Sequence, residues 1–297
     1  MSFNRRNFWM YPLFQIPAMF LLAFLLAALL FALLGLGRPN VAVAIALDVS
    51  SSTYQPQSFN SPGTVMAEEI AAVRSYLAQN SQLKTPNQIQ IFAFAGEVIP
   101  LTNSFQTDKQ LLESELDRTL QNPNLSSQIG GGTDINKAIQ KGTEALSSIQ
   151  DRCRELLLVT DGQAEVSPLV IAQAVGQRVK INAVVVGADA PAIQLAAFTT
   201  RGIYLSNQQN NLAALFTDKF FISFNSNIKW VIFWLGAAWI ALMWMITIPL
   251  DRWIFRGLMS QPPNLAGQLA IGNALFWTVL TPLIVWRIFG LPFGSIC

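Results

Sequence analysis

Two hydroxyl side chains follow an aspartate at alternate positions in the segment LDVSSST, residues 47–53. Asp48, Ser50 and Ser52 have the spacing D-x-S-x-S and come directly after the apolar run VAVAIAL. An acidic residue at the carboxyl end of a parallel strand lies where open α/β sheets bind their ligands. Carboxylate and hydroxyl oxygens are hard donors, so the spacing favours a hard cation over a nucleophile. Taken alone, the spacing is more typical of an Asx turn or a helix cap.

Two further segments carry residues that suit the same chemistry. In GGGTDI, residues 130–135, three glycines allow a tight loop before Thr133 and Asp134 begin a helix. A phosphate-binding loop is the alternative, but the glycines follow a polar stretch instead of a strand, and no lysine lies among them. In LLLVTDG, residues 156–162, an apolar strand ends in Asp161. Each segment alone is an ordinary cap or turn, but the three together predict one metal site.

The elements that must position these residues alternate along the chain from residue 39 to about residue 224, as βαβ units around a parallel sheet do. Four runs have strand length and are apolar on both faces: 41–47, 89–95, 155–160 and 181–187. Four segments have a helical apolar stripe: 65–79, 108–121, 134–149 and 167–177. Short strands are predicted at 97–101, in a hairpin with the run before it, and at 202–206. The predicted fold is α/β: a Rossmann-like, doubly wound, mostly parallel sheet of about six strands.

In combination, five residues resemble the metal-ion-dependent adhesion site of the von Willebrand factor A (VWA) domain. They are Asp48, Ser50, Ser52, Thr133 and Asp161. This family combines D-x-S-x-S, a threonine after a glycine pair and an aspartate at the end of the central strand, and the resemblance covers about residues 41–216. It implies that the serines and the threonine ligate a divalent cation directly, while the aspartates act mostly through water or hydrogen bonds. It also implies that an Asp or Glu of a partner protein completes the coordination sphere.

Mg²⁺ is the ion that suits these oxygen donors, with Mn²⁺ or Ca²⁺ as alternatives. The set contains no His or Cys, which argues against zinc. Many family members have a glycine between the two serines and continue quickly into the first helix, whereas this chain has Ser51 and then the loop 53–63. We expect that loop to lie beside the metal, where it either shapes the choice of partner or is a solvated insertion.

The chain as a whole has the composition of a membrane protein: 52% of its 297 residues are hydrophobic, 12% are charged, and the mean hydropathy is +0.39. The apolar residues are concentrated in long runs outside the segment that contains the sheet. The run 13–36 has no charge and is long enough to span about 30 Å of hydrocarbon; a signal peptide is the alternative, but no A-x-A-like cleavage site follows. Two more spans are predicted, of which the last contains polar residues and could instead be an interfacial hairpin. The predicted division is an N-terminus (1–12), transmembrane helix 1 (13–36), a VWA domain (39–224), transmembrane helix 2 (230–250), a short loop (251–268), transmembrane helix 3 (269–289) and a tail (290–297).

Basic residues favour one orientation of these three helices. Four flank the cytoplasmic ends in that orientation: Arg5, Arg6, Arg252 and Arg256. Three flank the opposite ends and weaken the asymmetry: Arg38, Lys229 and Arg287. The positive-inside tendency therefore predicts a multi-pass integral membrane protein with an extracytoplasmic VWA domain, which is periplasmic or lumenal.

The two cysteines, Cys153 and Cys297, lack metal-type spacing. A disulfide between them would require the tail to reach the sheet domain. We therefore interpret them as one half-buried thiol and one free thiol in the tail.

One span before the domain and two after it resemble the layout of bacterial membrane-tethered VWA proteins of the Bat or aerotolerance type, a group associated with MoxR-class ATPases. The predicted function is a membrane-anchored binding module that captures an acidic side chain of a partner protein in the assembly or maintenance of an envelope or membrane complex. Other membrane helices and a MoxR-class ATPase system are further candidate partners. A net charge of +2 gives no indication of nucleic-acid binding.

We predict that the protein is not an enzyme, because the chain has no histidine and the motifs contain no nucleophile paired with a base. The alternative is a membrane-bound, Mg²⁺-dependent phosphohydrolase or phosphotransferase with Asp48 as the nucleophile. That chemistry on a haloacid-dehalogenase pattern needs a second aspartate two residues later, where this chain has Ser50. A third possibility is a VWA domain that gates a channel or transporter subunit, for which the spans offer few ionisable residues.

Overall fold

The computed structural model describes residues 10–51, 53–55, 61, 63–161, 165–187, 189–207 and 211–292. This part of the chain divides into two compact units. One unit is residues 39–225 and contains the sheet. The other is formed by the segments 10–38 and 226–292 and contains the long apolar helices.

Six strands form one sheet in the order β3-β2-β1-β4-β5-β6. Every neighbouring pair is parallel except the β2–β3 hairpin, so the predicted α/β class with a mostly parallel sheet of about six strands is confirmed. The strands are β1 (Val41–Asp48), β2 (Gln88–Phe94), β3 (Val98–Pro100), β4 (Cys153–Thr160), β5 (Val179–Val186) and β6 (Tyr204–Asn207). The helices are α1 (Pro12–Leu34), α2 (Val65–Asn80), α3 (Lys109–Leu120), α4 (Leu125–Ile129), α5 (Ile135–Ser147), α6 (Pro168–Gly176), α7 (Pro191–Thr199), α8 (Leu212–Ala214), α9 (Ile222–Phe224), α10 (Ile228–Met245), α11 (Thr247–Pro249) and α12 (Pro263–Phe289).

Strand β1 occupies the position at which the strand order reverses, between β2 and β4. All eight of its residues are buried, because hydrophobic cores cover both faces of the sheet. Alternate residues face opposite cores: Val43 and Ile45 lie in the core that includes α2, and Ala44 lies in the core that includes α5. In open α/β sheets the carboxyl end of the strand at this switch point is where ligands bind.

Four of the predicted helices correspond to α2, α3, α5 and α6, with ends that differ by one or two residues. The sequence pattern did not predict α4, α7 or the last helical stretch of this unit, in which a π-helical segment (Leu215–Phe221) joins α8 to α9. Helix α7 was not predicted because apolar residues lie on all of its faces: Ile193 is fully buried, whereas Leu195 and Phe198 are 61% and 80% exposed. Without a polar face, the helical stripe has no contrast.

Three helical stretches are long and apolar enough to cross a membrane: Pro12–Leu34, Ile228–Leu258 and Pro263–Phe289. The second continues from α10 through α11 into a π-helical segment that ends at Leu258, so only residues 259–262 separate it from α12. The predicted loop over residues 251–268 is therefore wrong for most of its length. The charges of Asp251 and Arg252 end the hydrophobic run, but charged residues do not end a helix.

The polar residues of the third apolar stretch make contacts to the second. The indole Nε1 of Trp244 donates a hydrogen bond to the Thr278 hydroxyl at 3.0 Å, and the methyl group of Thr281 packs at Gly236 of α10. In hydrocarbon such side chains need partners within the protein, which favours packing between helices over an interfacial hairpin.

Cys153 lies at the start of β4, is 3% exposed and is not a free thiol. The interpretation of this residue as a free, half-buried thiol is therefore wrong. Cys297 lies outside the described residues.

Candidate metal centre

Asp48 is the last residue of the central strand and is fully buried. Its Oδ1 accepts a hydrogen bond from the backbone N of Ser50 at 3.0 Å, and its Oδ2 accepts one from the Thr160 hydroxyl at 2.6 Å. The first bond is the Asx turn that D-x-S-x-S allows, and the second connects the ends of β1 and β4. The turn and the candidate metal site are therefore the same local structure, and the carboxylate is held between two strand ends.

The turn after β1 is closed by hydroxyl and amide donors. The backbone N atoms of Thr53 and Tyr54 donate to the carbonyl O of Ser50 at 3.0 and 2.9 Å, and the Thr53 hydroxyl donates to the carbonyl O of Asp48 at 2.6 Å. These bonds curl the chain so that Ser50, which is 4% exposed, stays at the strand end. Ser52 lies outside the described residues.

Thr53 contributes to the structure of this site, but we did not predict this from the sequence. The signal that could have indicated it is the run of hydroxyl residues SSST. The loop 53–63 also differs from expectation at its start, because Thr53 and Tyr54 are buried and the Tyr54 hydroxyl donates to the carbonyl O of Leu120 at 2.6 Å. Its first residues are thus part of the core, whereas residues 56–60 and 62 lie outside the described part of the chain.

The glycine-rich loop is bonded to the end of β2, on the other side of β1. The backbone N of Asp134 donates to the carbonyl O of Ala95 at 2.7 Å, and the backbone N of Glu97 donates to the carbonyl O of Ile129 at 2.7 Å. These two bonds clamp both ends of the loop that carries Thr133. Because β2 is the neighbour of β1, the loop brings Thr133 to the same edge of the sheet as Asp48.

Glycine is required in this loop for two separate reasons. Gly130 and Gly132 have φ angles of 72° and 87°, in the left-handed region that side chains disfavour. Gly96 lies under the loop, where an added Cβ would come within 2.6 Å of the carbonyl O of Gly131. The contribution of Gly96 depends on contact across 35 residues of sequence, so no local pattern could reveal it.

The loop ends where α5 begins, as predicted. Asp134 caps the helix by accepting a hydrogen bond from the backbone N of Lys137 at 3.1 Å. Thr133 is partly exposed and lines a small polar cleft together with Gly96, Asp134 and Glu165. Thr133 is thus open to solvent on the side of this cleft.

Asp161 follows β4 directly and is partly exposed. It is the residue after Thr160, whose hydroxyl bonds Asp48, so the two aspartates stand at the ends of adjacent strands. Burial raises the pKa of Asp48; the hydrogen bonds from Thr160 and Ser50 act against this, and the negative charge of Asp161 adds to it. A divalent cation at this edge would offset both negative charges.

The donor set fits a hard cation that keeps part of its water. Among the described residues, no three Asp, Glu, Cys or His side chains cluster as a metal site, so a cation here depends on hydroxyl oxygens and water. Mg²⁺ is commonly bound in this way, through one or two carboxylates and several waters. The chemistry of Asp48, Ser50, Thr133 and Asp161 is therefore suitable for a divalent ion.

Glu69 is an acidic residue near this edge that we did not predict. It lies in α2, is fully buried, and neither of its carboxyl oxygens has a hydrogen-bond partner among the described residues. Its pKa is well above the ordinary value, first because of burial and then because of the charges of Asp48 and Asp161. The available signal was a glutamate on the core-facing stripe that also contains Met66 and Val73.

Comparison with known proteins agrees with the fold of the sheet unit. Residues 43–163 match the family model of the von Willebrand factor type A domain. The sheet unit of this chain is a VWA domain. The match begins within β1 and ends just after Asp161, so it contains all five residues predicted for the site. No curated protein sequence matches the chain.

Solved structures with a similar fold include a von Willebrand factor type A protein from Catenulispora acidiphila, with a TM-score of 0.51 and 16% identity over 63% of this chain and 43% of that protein. At this identity the similarity shows the fold alone. An aerotolerance-related membrane protein from Bacteroides fragilis has a TM-score of 0.46 and 17% identity over 62% of this chain and 100% of its own. The protein BatB from Bacteroides thetaiotaomicron has a TM-score of 0.46 and 18% identity over 60% of this chain and 97% of its own.

Proposed function

We propose that this VWA domain binds a divalent cation, Mg²⁺ or alternatively Mn²⁺ or Ca²⁺, through Asp48, Ser50, Ser52, Thr133 and Asp161, and that the cation captures an Asp or Glu side chain of a partner protein. Neutral hydroxyl ligands leave much of the positive charge of the ion uncompensated. A carboxylate from outside is the group that such an ion attracts most strongly.

The observation that supports this proposal best is the hydrogen bond between Asp48 and Thr160, at 2.6 Å. It holds an acidic group at the end of the central strand, directly beside Asp161. The clamped loop on the opposite side presents Thr133 to solvent. A rigid set of oxygen donors at an accessible sheet edge suits binding without turnover.

We further propose that the three apolar helices anchor the domain in a membrane, with the domain extracytoplasmic, and that the protein takes part in assembly or maintenance of an envelope or membrane complex. The guanidinium of Arg252 lies 5.3 Å from the ring centroid of Tyr11, so the start of α1 and the charged end of the second stretch share one end of the helical unit. Basic residues gathered at one end support a cytoplasmic location for that end. A MoxR-class ATPase system and other membrane helices remain proposed partners.

Affinity capture from native membranes tests the proposal. The full-length wild type, Thr133→Ala and Thr199→Ala are compared in Mg²⁺ and in chelator, and retained proteins are identified by mass spectrometry. Thr199 is the matched control because it is exposed and its hydroxyl donates to the carbonyl O of Leu195 within α7. We expect a partner retained by the wild type and Thr199→Ala in Mg²⁺ alone. Identical retention in every condition would contradict a metal-dependent partner site.

Hydrolysis of a phosphate ester with Asp48 as nucleophile is the rival function. The Asp48 side chain is buried and both of its oxygens already accept hydrogen bonds, so it is poorly placed for attack on a substrate. Metal-dependent release of phosphate by the purified protein, abolished in Asp48→Ala, would overturn the binding proposal.

A further inference from the structure

Glu69 is a fully buried acidic residue of the VWA domain whose carboxyl oxygens both lack a hydrogen-bond partner among the described residues. It lies in the second turn of α2, the helix that follows the loop after β1, and its side chain has no exposed surface. Its neighbours on the same helix face, Met66, Ile70 and Val73, are apolar and belong to the core beside β1. A carboxyl group in such a stripe is unfavourable unless something bonds to it.

The described residues supply no such bond, because both carboxyl oxygens of Glu69 lack a hydrogen-bond donor. Other buried acids of the domain are satisfied: Glu115 accepts hydrogen bonds from Asn103 and from Gln106. Helix α2 follows the loop after β1 and packs on the core that contains Val43 and Ile45, so its second turn lies near the carboxyl end of β1, where Asp48 is located. The negative charges of Asp48 and Asp161 accordingly act on Glu69. The charged groups that act on Glu69 include no basic side chain.

We propose that Glu69 is a further residue of the metal centre, which accepts a hydrogen bond from a water molecule on the bound cation and contributes a third negative charge to the site. This inference rests on the proposed cation site. Direct ligation together with both aspartates is not favoured, since no three acidic side chains among the described residues form a metal-holding cluster. A metal-bound water is a strong donor, and a buried carboxylate is the acceptor that such a water prefers.

The test is calorimetric titration of full-length protein in detergent micelles with MgCl₂ or MnCl₂, after removal of metal. Wild type is compared with Glu69→Gln, which keeps the size of the side chain and removes its charge, and with Glu68→Gln, the same change at a partly exposed position one residue earlier. We expect Glu69→Gln to weaken metal binding about 10-fold to 100-fold, as loss of an outer-sphere partner does. Glu68→Gln should bind as the wild type does.

Equal affinity of wild type and Glu69→Gln would overturn the inference while leaving the cation site intact. Absence of metal binding by the wild type would instead reject the site itself and this inference with it. Resistance of the domain to protease monitors folding of each variant. If Glu69→Gln does not fold, Glu69→Asp is measured in its place. We expect this variant to lose less metal affinity, because it keeps the negative charge but moves it back by one methylene group. Unchanged metal affinity in Glu69→Asp would then overturn the inference.

Discussion

Two glutamates of the VWA domain are buried to nearly the same extent but have opposite surroundings. Glu155, in the first half of β4, is 3% exposed and accepts hydrogen bonds from Lys180 at 3.0 Å and from Asn182 at 2.9 Å. Glu69, close to the carboxyl ends of β1 and β4, is 0% exposed and has no such donor among the described residues. Residue type and burial are therefore shared, and only the neighbours differ.

This difference separates a structural acid from one available to a ligand. A buried carboxylate with a cation and an amide beside it is neutralised inside the protein, and the pair contributes to holding β4 and β5 together. A buried carboxyl group without a donor, on which only the charges of other acids act, is unfavourable in the protein alone and becomes more favourable when a cation binds nearby. The two ends of the sheet thus have different electrostatic surroundings, and we assign one to stability and the other to the proposed binding of a cation.

The largest effect is expected from removing the satisfied acid. Glu155→Ala leaves Asn182 buried without its acceptor and Lys180 without its counterion, and we expect a loss of about 2–3 kcal/mol in the free energy of unfolding. This value is at or below the lower end of the loss that is usual when one partner of a buried ion pair is removed, because the Lys180 side chain is 30% exposed and can reach water. Urea titration of full-length protein in micelles, read by pulse proteolysis, measures the change.

The matched control for that change is Glu144→Ala. Glu144 also pairs with a lysine, Lys141 at 3.0 Å, but both side chains are exposed. An exposed pair contributes little, so the loss should stay below about 0.5 kcal/mol. Similar losses in the two variants would show that burial of Glu155 does not set its contribution.

A smaller effect of opposite sign is expected at the unsatisfied acid. In metal-free buffer at pH 7, Glu69→Leu replaces a carboxyl group without a donor by an apolar side chain in an apolar stripe, and we expect a gain of about 1.5 kcal/mol. Addition of Mg²⁺ should reduce or reverse the gain, because only the wild type would retain the acidic group. Destabilisation of the metal-free variant would mean that Glu69 has a structural partner, as Glu155 does.

The smallest effect is a difference in pH dependence. The folded-state pKa of Glu69 lies above its ordinary value of 4.5, so above about pH 4.5 the folded protein holds a proton that the unfolded chain has lost. The stabilisation is present below that pH and is lost as the pH rises through the raised pKa. Wild type should therefore lose stability relative to Glu69→Gln, by no more than about 1.4 kcal/mol per pH unit.

Metal-free unfolding curves at several pH values measure this difference. Both proteins contain Asp48, whose pKa is also raised by burial, so the effect of that burial is common to the two sets of curves. A constant difference in stability across the range would show that Glu69 titrates alike in the folded and unfolded chains.

The pattern of the chain was informative wherever the relevant interactions are local. Alternating apolar runs and amphipathic segments predicted all six strands and helices α2, α3, α5 and α6. The Asx turn of Asp48 and the cap of α5 by Asp134 involve residues two and three apart, and residue type alone predicts such contacts. Helix α7 and the helical continuation to Leu258 were missed because polarity, the cue used, does not coincide there with helix boundaries.

Residue types and short spacings were sufficient for the sheet class, the three apolar spans and the motif residues at the strand ends, because strand period, helix period and turn chemistry are properties of neighbouring residues. Strand order, the Thr160 bond to Asp48, the contact of Gly96 with the loop of Thr133 and the approach of Glu69 to the aspartates were decided by tertiary structure. These features join residues that are 21 to more than 100 positions apart. Packing of the sheet and helices, and not local preference, brings such residues together.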